Sequence, residues 1–431
     1  MLGADLGGDP SVVVDGVGND TRSLRPGSLF VALVAERDGH EFVPAAAAAG
    51  AAAALVARPL DVDLPQLIVD DPASSLLGLG RWARGALAVP VIGITGSVGK
   101  TTTKDLLASV FARLGPTAAS ERSFNNEVGV PLTLFNTDRD AVVVIVEMGA
   151  RGVGHIELLC EVAAPTAAVV TAVTAAHMET FGSLEAIAAA KGELVEALPS
   201  NGLAVLNADD PLVAEMASRS AASVLTFGDA GDVRASQVEL ADDLRARFVL
   251  HSPWGSEPVR LGVRGAHNVS NALAAAAAAM GSGETLGMGL GEVVSGLADE
   301  ALSPWRMELM TSPEGARILN DSYNANPASM RAALRALASL PARRRVAVLG
   351  PMAELGEGGP AEHLAVAEVA AELGIEVVAV GTDDYGIAPV GDVVAALGPL
   401  DGDVAVLVKA SRAGGLEAVA AQLAGRTRRS Q

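Results

Sequence analysis

A buried strand that runs into a glycine turn and then a helix leaves few folds open, and residues 89–114 make that pattern. Residues 89–95 are an apolar run, Thr95-Gly96-Ser97-Val98-Gly99-Lys100-Thr101 is the turn, and residues 101–114 carry helical spacing. Such a turn exposes backbone N–H groups, and the helix N-terminus adds positive potential. Together they make a phosphate cradle, in which Lys100 neutralises the β- and γ-phosphates of ATP and the Thr101 hydroxyl ligates magnesium. The strict nucleotide-loop pattern asks for glycine where this chain has Ile94. The first loop glycine is instead Gly96.

Further strands are expected at residues 141–146, 167–173 and 202–206, with Glu147, Thr174 and Asn207 just beyond them. Strands alternating with helices argue for a mostly parallel sheet, whose ligands bind past the strands' carboxyl ends. Phosphoryl transfer with a metal needs a carboxylate beside the loop, and Glu147 closes an apolar run. Before this unit, residues 1–86 read as an α/β domain with strands at 12–14, 28–33 and 67–69 and one small-residue helix over 45–56. The chain opens almost directly on its first strand. After a boundary near Ser303-Pro304-Trp305, strands at 317–319, 346–349, 377–380 and 404–408 alternate with helices in a third, doubly wound domain. The expected units are therefore 1–86, 87–302 and 303–431, all α/β.

A formal charge of -20 repels nucleic acid and anionic membranes, so neither is an expected partner. The apolar stretch at 45–56 is too short to span a bilayer. The lone Cys160 and the lack of a leader pattern point to a reducing, cytoplasmic setting. Nothing in the sequence demands more than a monomer.

Several segments then carry a resemblance. TGSVGKTTTK (residues 95–104), SFNNEVGVPLTLF (123–135), EMGARGVGHI (147–156), AHMETFGS (176–183), AKGE (190–193), RGAHNVSNALAA (264–275) and DSYNANPASM (321–330) together resemble the Mur ligases. NDTRSLRPGSLFVAL (19–33) and DGHEF (38–42) extend the likeness into the first domain. DSYNANPASM is the most discriminating and points, within that family, to the enzyme joining D-alanyl-D-alanine to UDP-N-acetylmuramoyl-tripeptide in peptidoglycan synthesis.

The resemblance implies an N-terminal domain for the UDP part, a central ATPase domain and a C-terminal Rossmann-like domain that brings the dipeptide. It implies phosphorylation of the tripeptide carboxylate by ATP, because oxide is a poor leaving group, and then attack by the dipeptide amine. Joining two anions calls for cations: Lys100, magnesium and Arg306. By resemblance Thr101 and Glu147 hold one magnesium and His177 helps hold a second. Lys191 matches the family's carbamylated lysine, an anion that can ligate metal. Residues 95–102, from Thr95 to Thr102, with Asn268, Asn271, Arg306, Asp321 and Tyr323, are expected at the nucleotide. Asn125, Asn126, Glu127, Asn324 and Asn326 are expected at the substrates, and Thr21, Arg22, Asp38 and His40 on the uridine side.

Two positions depart from the family. Ala172 stands where an asparagine is usual, and Lys409-Ala410-Ser411-Arg412 carries a methyl where glycine is usual, which puts a positive-φ turn in question. The nearest rival readings are a sister ligase adding the third residue, which would carry an aspartate-asparagine-proline-arginine string absent here, and a folate polyglutamyl ligase. A nucleotide switch without catalysis would have no use for His177 and Lys191.

Overall fold

The computed structural model describes residues 4–175, 178–300 and 303–425. Among them the chain builds four sheets.

The first contains β1 (Asp5–Gly7), β2 (Val17–Gly18), β3 (Leu29–Val31), β4 (Ala53–Val56) and β5 (Gln66–Ile68), in the order β1-β5-β4-β3-β2. Only β1 runs antiparallel to its neighbour. Two expectations are corrected here. Residues 12–14 form no strand, and Val13 is 83% exposed: β-branched residues make a strand only where a neighbouring edge is open to them. Residues 45–56 are not one helix but α1 (Val43–Ala48) followed by β4. Gly50, at φ 88, ends the helix, with its N–H donated to Ala47 O (3.0 Å) and that of Ala51 to Ala46 O (3.0 Å). That double closure needs a left-handed residue, so one glycine splits an alanine run that propensity alone would keep helical.

Helix α2 (Pro72–Ala86) starts at Asp71, whose carboxylate accepts from Ala73 N (3.0 Å) and Ser74 N (3.3 Å). Its Leu76 and Leu79 pack into the first core and its Ala83 into the next, so the helix preceding the expected boundary serves both.

The central sheet combines β6 (Val91–Thr95), β7 (Thr117–Ala119), β8 (Val143–Glu147), β9 (Ala167–Val170), β10 (Leu203–Asn207) and β11 (Ser223–Phe227). All are parallel, in the order β11-β10-β9-β6-β8-β7. Around it lie α3 (Lys100–Phe111), α4 (Gly129–Phe135), α5 (His155–Ala163), α6 (Met178–Phe181), α7 (Leu184–Glu196) and α8 (Pro211–Ala214). The chain leaves β6 toward opposite edges, so the loops after β6, β8 and β9 open on one crevice. An antiparallel sheet not foreseen from the sequence follows: β12 (Arg234–Leu240), β13 (Arg245–Ser252) and β14 (Gly255–Arg264). Then come α9 (Asn268–Gly283), whose buried alanines allow close packing in the core, and α10 (Leu290–Leu297).

The last unit alternates β15 (Glu308–Thr311), β16 (Arg317–Asn320), α11 (Pro327–Ser339), β17 (Arg344–Leu349), α12 (Gly359–Glu372), β18 (Glu376–Ala379), α13 (Val393–Leu397), β19 (Val404–Lys409) and α14 (Glu417–Leu423). The sheet order is β15-β16-β19-β17-β18, with only β15 antiparallel. Among the described residues no helix is long and apolar enough to cross a membrane.

Candidate functional site

The turn after β6 explains its own departure from the strict pattern. Ile94 is fully buried inside β6, in register with Glu147, so that position needs a side chain rather than glycine. The glycines that matter are Gly96 (φ 148) and Gly99 (φ 85). A Cβ on Gly96 would lie 1.9 Å from Thr171 Oγ1, and one on Gly99 would lie 2.3 Å from Asn271 Oδ1. The loop is held from outside: Thr171 Oγ1 donates to Val98 O (2.6 Å), and Ser97 N to Ala172 O (2.7 Å). Lys100 Nζ donates to Gly96 O (2.6 Å), folding its ammonium over the turn. Gly96→Ala is expected to cost about 2 kcal/mol or more through clash and backbone strain, read as a lower Tm, and to abolish nucleotide binding by calorimetry.

Glu147 ends β8 at 1% exposure. Its Oε2 accepts from Thr101 Oγ1 (2.7 Å), its Oε1 from Asn125 Nδ2 (2.8 Å), and its own N–H donates to Ser120 Oγ (3.1 Å). Arg306 Nη2 donates to the same Thr101 hydroxyl (2.9 Å), although Arg306 lies on the segment entering the last domain. The guanidinium carbon sits 4.2 Å from the Tyr323 ring centroid, and Tyr323 OH contacts Ser123 Oγ. Arg306 Nε is buried without a hydrogen-bond partner among the described residues. Burial pushes the Lys100 amine below its ordinary pKa; Glu147 opposes that shift and Arg306 adds to it.

The donor set suits a hard cation. A hydroxyl and a carboxylate oxygen side by side match magnesium, which typically takes one or two carboxylates and completes its shell with phosphate oxygens and water. Among the described residues no three His, Cys, Asp or Glu side chains form a denser cage. His177, expected as a ligand of a second ion, lies outside the described residues.

Lys191 lies on α7 at 4% exposure, which rules out a solvated helix charge. Burial, followed by repulsion from Lys100, brings its pKa down to about 7. Two residues on, Glu193 accepts from Gly154 N (2.6 Å) and Glu157 N (2.9 Å), capping α5.

A cavity of about 810 Å³ joins the phosphate loop, Glu147 and Arg306, and Lys191 is not among the residues that line it. Residues 97–102 of the loop line it, as do Asn125, Glu147, Asn268, Asn271, Arg306, Asp321, Tyr323, Asn324 and Asn326. Asn271 Nδ2 donates to Asn268 Oδ1 (2.7 Å), and Asn268 Nδ2 to Arg264 O (2.6 Å). Asp321 accepts from Met307 N (3.1 Å) and from Lys409 Nζ (2.5 Å), holding the residue next to Arg306. Asn326 caps α11 through Ser329 N (2.9 Å). Thr95 is buried beneath the loop, its hydroxyl donated to Met148 O (2.9 Å).

Other expected residues stand apart. Asn126 Oδ1 accepts from Gly129 N (3.0 Å) at the start of α4, and neither it nor Glu127 lines a cavity described here. Arg22 borders a second cavity of about 1030 Å³, but its guanidinium pairs with Asp20 (2.6 Å). Thr21, Asp38 and His40 line neither cavity. Asp38 is bound to His40 Nδ1 (2.6 Å) and Arg58 (2.8 Å), while His40 Nε2 accepts from Ala57 N (2.8 Å). That is a fastening of the first domain's own chain.

Residues given no role beforehand also line the main cavity: Ser123, Arg151, His267, Lys409 and Arg412. Lys409 ends a parallel strand, the same signal that flagged Asn207, which lines the cavity too. As for the departures, Ala172 lends its carbonyl to the loop. Ala410 is fully buried without a positive φ, beside Gly350 and Gly414, where an added Cβ would come within 2.7 Å and 2.9 Å of its methyl.

Comparison with known proteins agrees with this layout. The model described as Mur ligase middle domain matches residues 94–279, and the one described as Mur ligase, glutamate ligase domain matches residues 305–427. The UDP-N-acetylmuramoyl-tripeptide–D-alanyl-D-alanine ligase of Escherichia coli (strain K12) is 40% identical over 393 residues, covering 90% of this chain and 85% of that one. A crystal structure of MurF from Acinetobacter baumannii superposes with a TM-score of 0.86 at 32% identity, covering 97% of this chain and 95% of that one. MurF ligase from Thermotoga maritima in complex with ADP gives 0.82 at 27% identity, covering 97% and 99%. With its central and C-terminal domains matched and 40% identity to a relative over most of both chains, this protein belongs to the Mur ligase family.

Proposed function

We propose that this chain is the ATP-dependent ligase that joins D-alanyl-D-alanine to the terminal carboxylate of UDP-N-acetylmuramoyl-tripeptide. The observation that carries the reading is the bond from Arg306 to Thr101, which sets a cation of the last domain against the metal-competent hydroxyl of the phosphate loop. The relatives named above supply the substrates.

In the first step a tripeptide carboxylate oxygen attacks the γ-phosphorus, the bond to the bridging oxygen breaks, and ADP departs. The loop N–H groups and Lys100 hold the phosphates, and Arg306 faces the negative charge that builds on the transferring group. Magnesium, held by Thr101 and Glu147, would neutralise phosphate charge. In the second step the dipeptide amine attacks the acyl carbon, phosphate leaves, and the nitrogen loses its proton. Asn268 and Asn271 support the adenosine end, and Asn125 and Asn324 stand on the substrate side of the same cavity. Asn326 borders that side as well, with its side chain committed to the helix cap.

Lys191 is the proposed carbamate. Its amine is already neutral in part near pH 7, so its nitrogen can add to carbon dioxide with loss of one proton. The resulting anion, with His177, is the proposed support for a second magnesium. The UDP moiety is assigned to the second cavity, where Arg25, Arg122 and Phe124 combine cations with an aromatic face.

The test is phosphate release measured with each substrate omitted in turn, and mass spectrometry of the nucleotide product. Release that requires both substrates, with a pentapeptide nucleotide formed, is the expected result. Equal release with neither present, and no pentapeptide, would remove the ligase reading.

A further inference from the structure

The ligation proposed above needs a second substrate with a charge at each end, an amine and a carboxylate about 7 Å apart in an extended dipeptide. A carboxylate entering a cavity needs a cation that the phosphates do not already claim. Among the cations lining the main cavity, Lys100 is folded over the phosphate loop, Arg306 is engaged with Thr101 and Tyr323, and Lys409 is paired with Asp321.

Arg412 is placed differently. It borders both cavities, and its guanidinium carbon stands 4.4 Å from the Trp305 ring centroid. Nη1 pairs with Glu417 (3.0 Å), and the other guanidinium nitrogens have no hydrogen-bond partner among the described residues. The platform is itself constrained: Trp305 has φ 62, and its carbonyl accepts from Tyr323 N (3.2 Å). A bulky residue keeps that conformation only where its surroundings impose it, and here it presents the ring to Arg412.

One residue earlier, Ser411 stitches two loops together. Its N–H donates to Pro351 O (3.0 Å), and its Oγ accepts from Ala353 N (2.8 Å). The next residue after Ala353 is Glu354, which lines the cavity at φ 64. From behind, His363 Nε2 accepts from Met352 N (2.9 Å) and Tyr385 OH donates to Gly350 O (2.8 Å). A guanidinium and a carboxylate thus stand on adjoining loops of one domain, tied through a single serine.

We propose that Arg412 binds the terminal carboxylate of the incoming dipeptide and Glu354 its amine end, making this rim the dipeptide's recognition site. The proposal rests on the ligase reading, and its test separates the two. Steady-state rates are measured with D-alanyl-D-alanine and with its C-terminal amide, for the natural enzyme and for Arg412→Gln, Arg151→Gln and Glu354→Gln. The natural enzyme is expected to favour the acid by about 10- to 100-fold in kcat/KM, the loss that goes with a charged hydrogen-bond partner. Arg412→Gln should bring that ratio close to one by raising KM for the acid, and Glu354→Gln should raise KM for acid and amide alike. Arg151→Gln, which removes the other exposed cation on the cavity wall, should keep the preference for the acid.

An Arg412→Gln enzyme that still favours the acid as strongly would overturn the proposal. So would a rise confined to KM for the tripeptide nucleotide, or loss of the preference in Arg151→Gln instead. Failure of the natural enzyme to form any product from the acid would count against the ligase reading itself. Arg412 is 52% exposed, so the variant is expected to fold, and a thermal melt checks it.

Discussion

Lys191→Ala is expected to lower kcat by about 10²- to 10³-fold, the range for removing one preorganised charge from a reaction centre. A short carboxylate such as acetate should restore part of the rate by standing where the carbamate would. The pH profile tests the same group. With a pKa of about 7, the amine becomes protonated as pH falls through that value, and an ammonium cannot add to carbon dioxide. The activity of the natural enzyme should therefore fall on the acid side of about pH 7, and the acetate-rescued variant should lack that limb. Full activity in Lys191→Ala would remove the carbamate from the mechanism.

Stability separates this from damage to the fold. The unfolded lysine keeps its proton up to about 10.5, whereas the folded one releases it near 7. The depressed value means that the unmodified side chain lowers stability, fully below about pH 7 and progressively less as pH rises to 10.5. Lys191→Met keeps the stem and removes that cost. Its Tm at pH 7 should equal or exceed that of the unmodified enzyme while its activity is lost.

Arg306→Ala is expected to reduce kcat by about 10³-fold or more, as for an arginine that meets the charge of a transferring phosphoryl group. Arg306→Lys should recover little. Lysine keeps the charge but offers neither the planar face that lies over Tyr323 nor the fixed fork that reaches Thr101. The loss should appear in kcat more than in KM for ATP, because the interaction matters most in the transition state. A variant with unchanged kcat and raised KM for ATP would make Arg306 a ground-state contact only.

Legibility differed residue by residue. The strand, turn and helix around Lys100 were readable because local pattern alone specifies them, and Glu147 because a charge closing an apolar strand is costly unless it has partners. The split of the 45–56 run was missed because alanine spacing looks the same on both sides of Gly50, and only the left-handed turn decides. Strand β12 is largely exposed and carries little periodicity, whereas β13 and β14 bury Ala246, Phe248 and Leu250, and Val259, Leu261 and Val263, at every second position, so their alternation was there to be read. Asp38 and His40 are candidates for the uridine side on polar type alone, because a sequence does not show a residue's partners. Once folded, they hold each other.

What the sequence determined by itself is the order of the parallel strands' chemistry: a phosphate turn, an acid, a threonine and an asparagine, each at or just past a strand's end. Tertiary structure decided which of these meet. Arg306 lies 205 positions from Thr101 in sequence yet donates to its hydroxyl at 2.9 Å, and Lys191 takes its low pKa from burial and from Lys100. Those facts depend on how layers pack, because electrostatic energy follows distance and solvent exposure, neither of which is set by position along the chain.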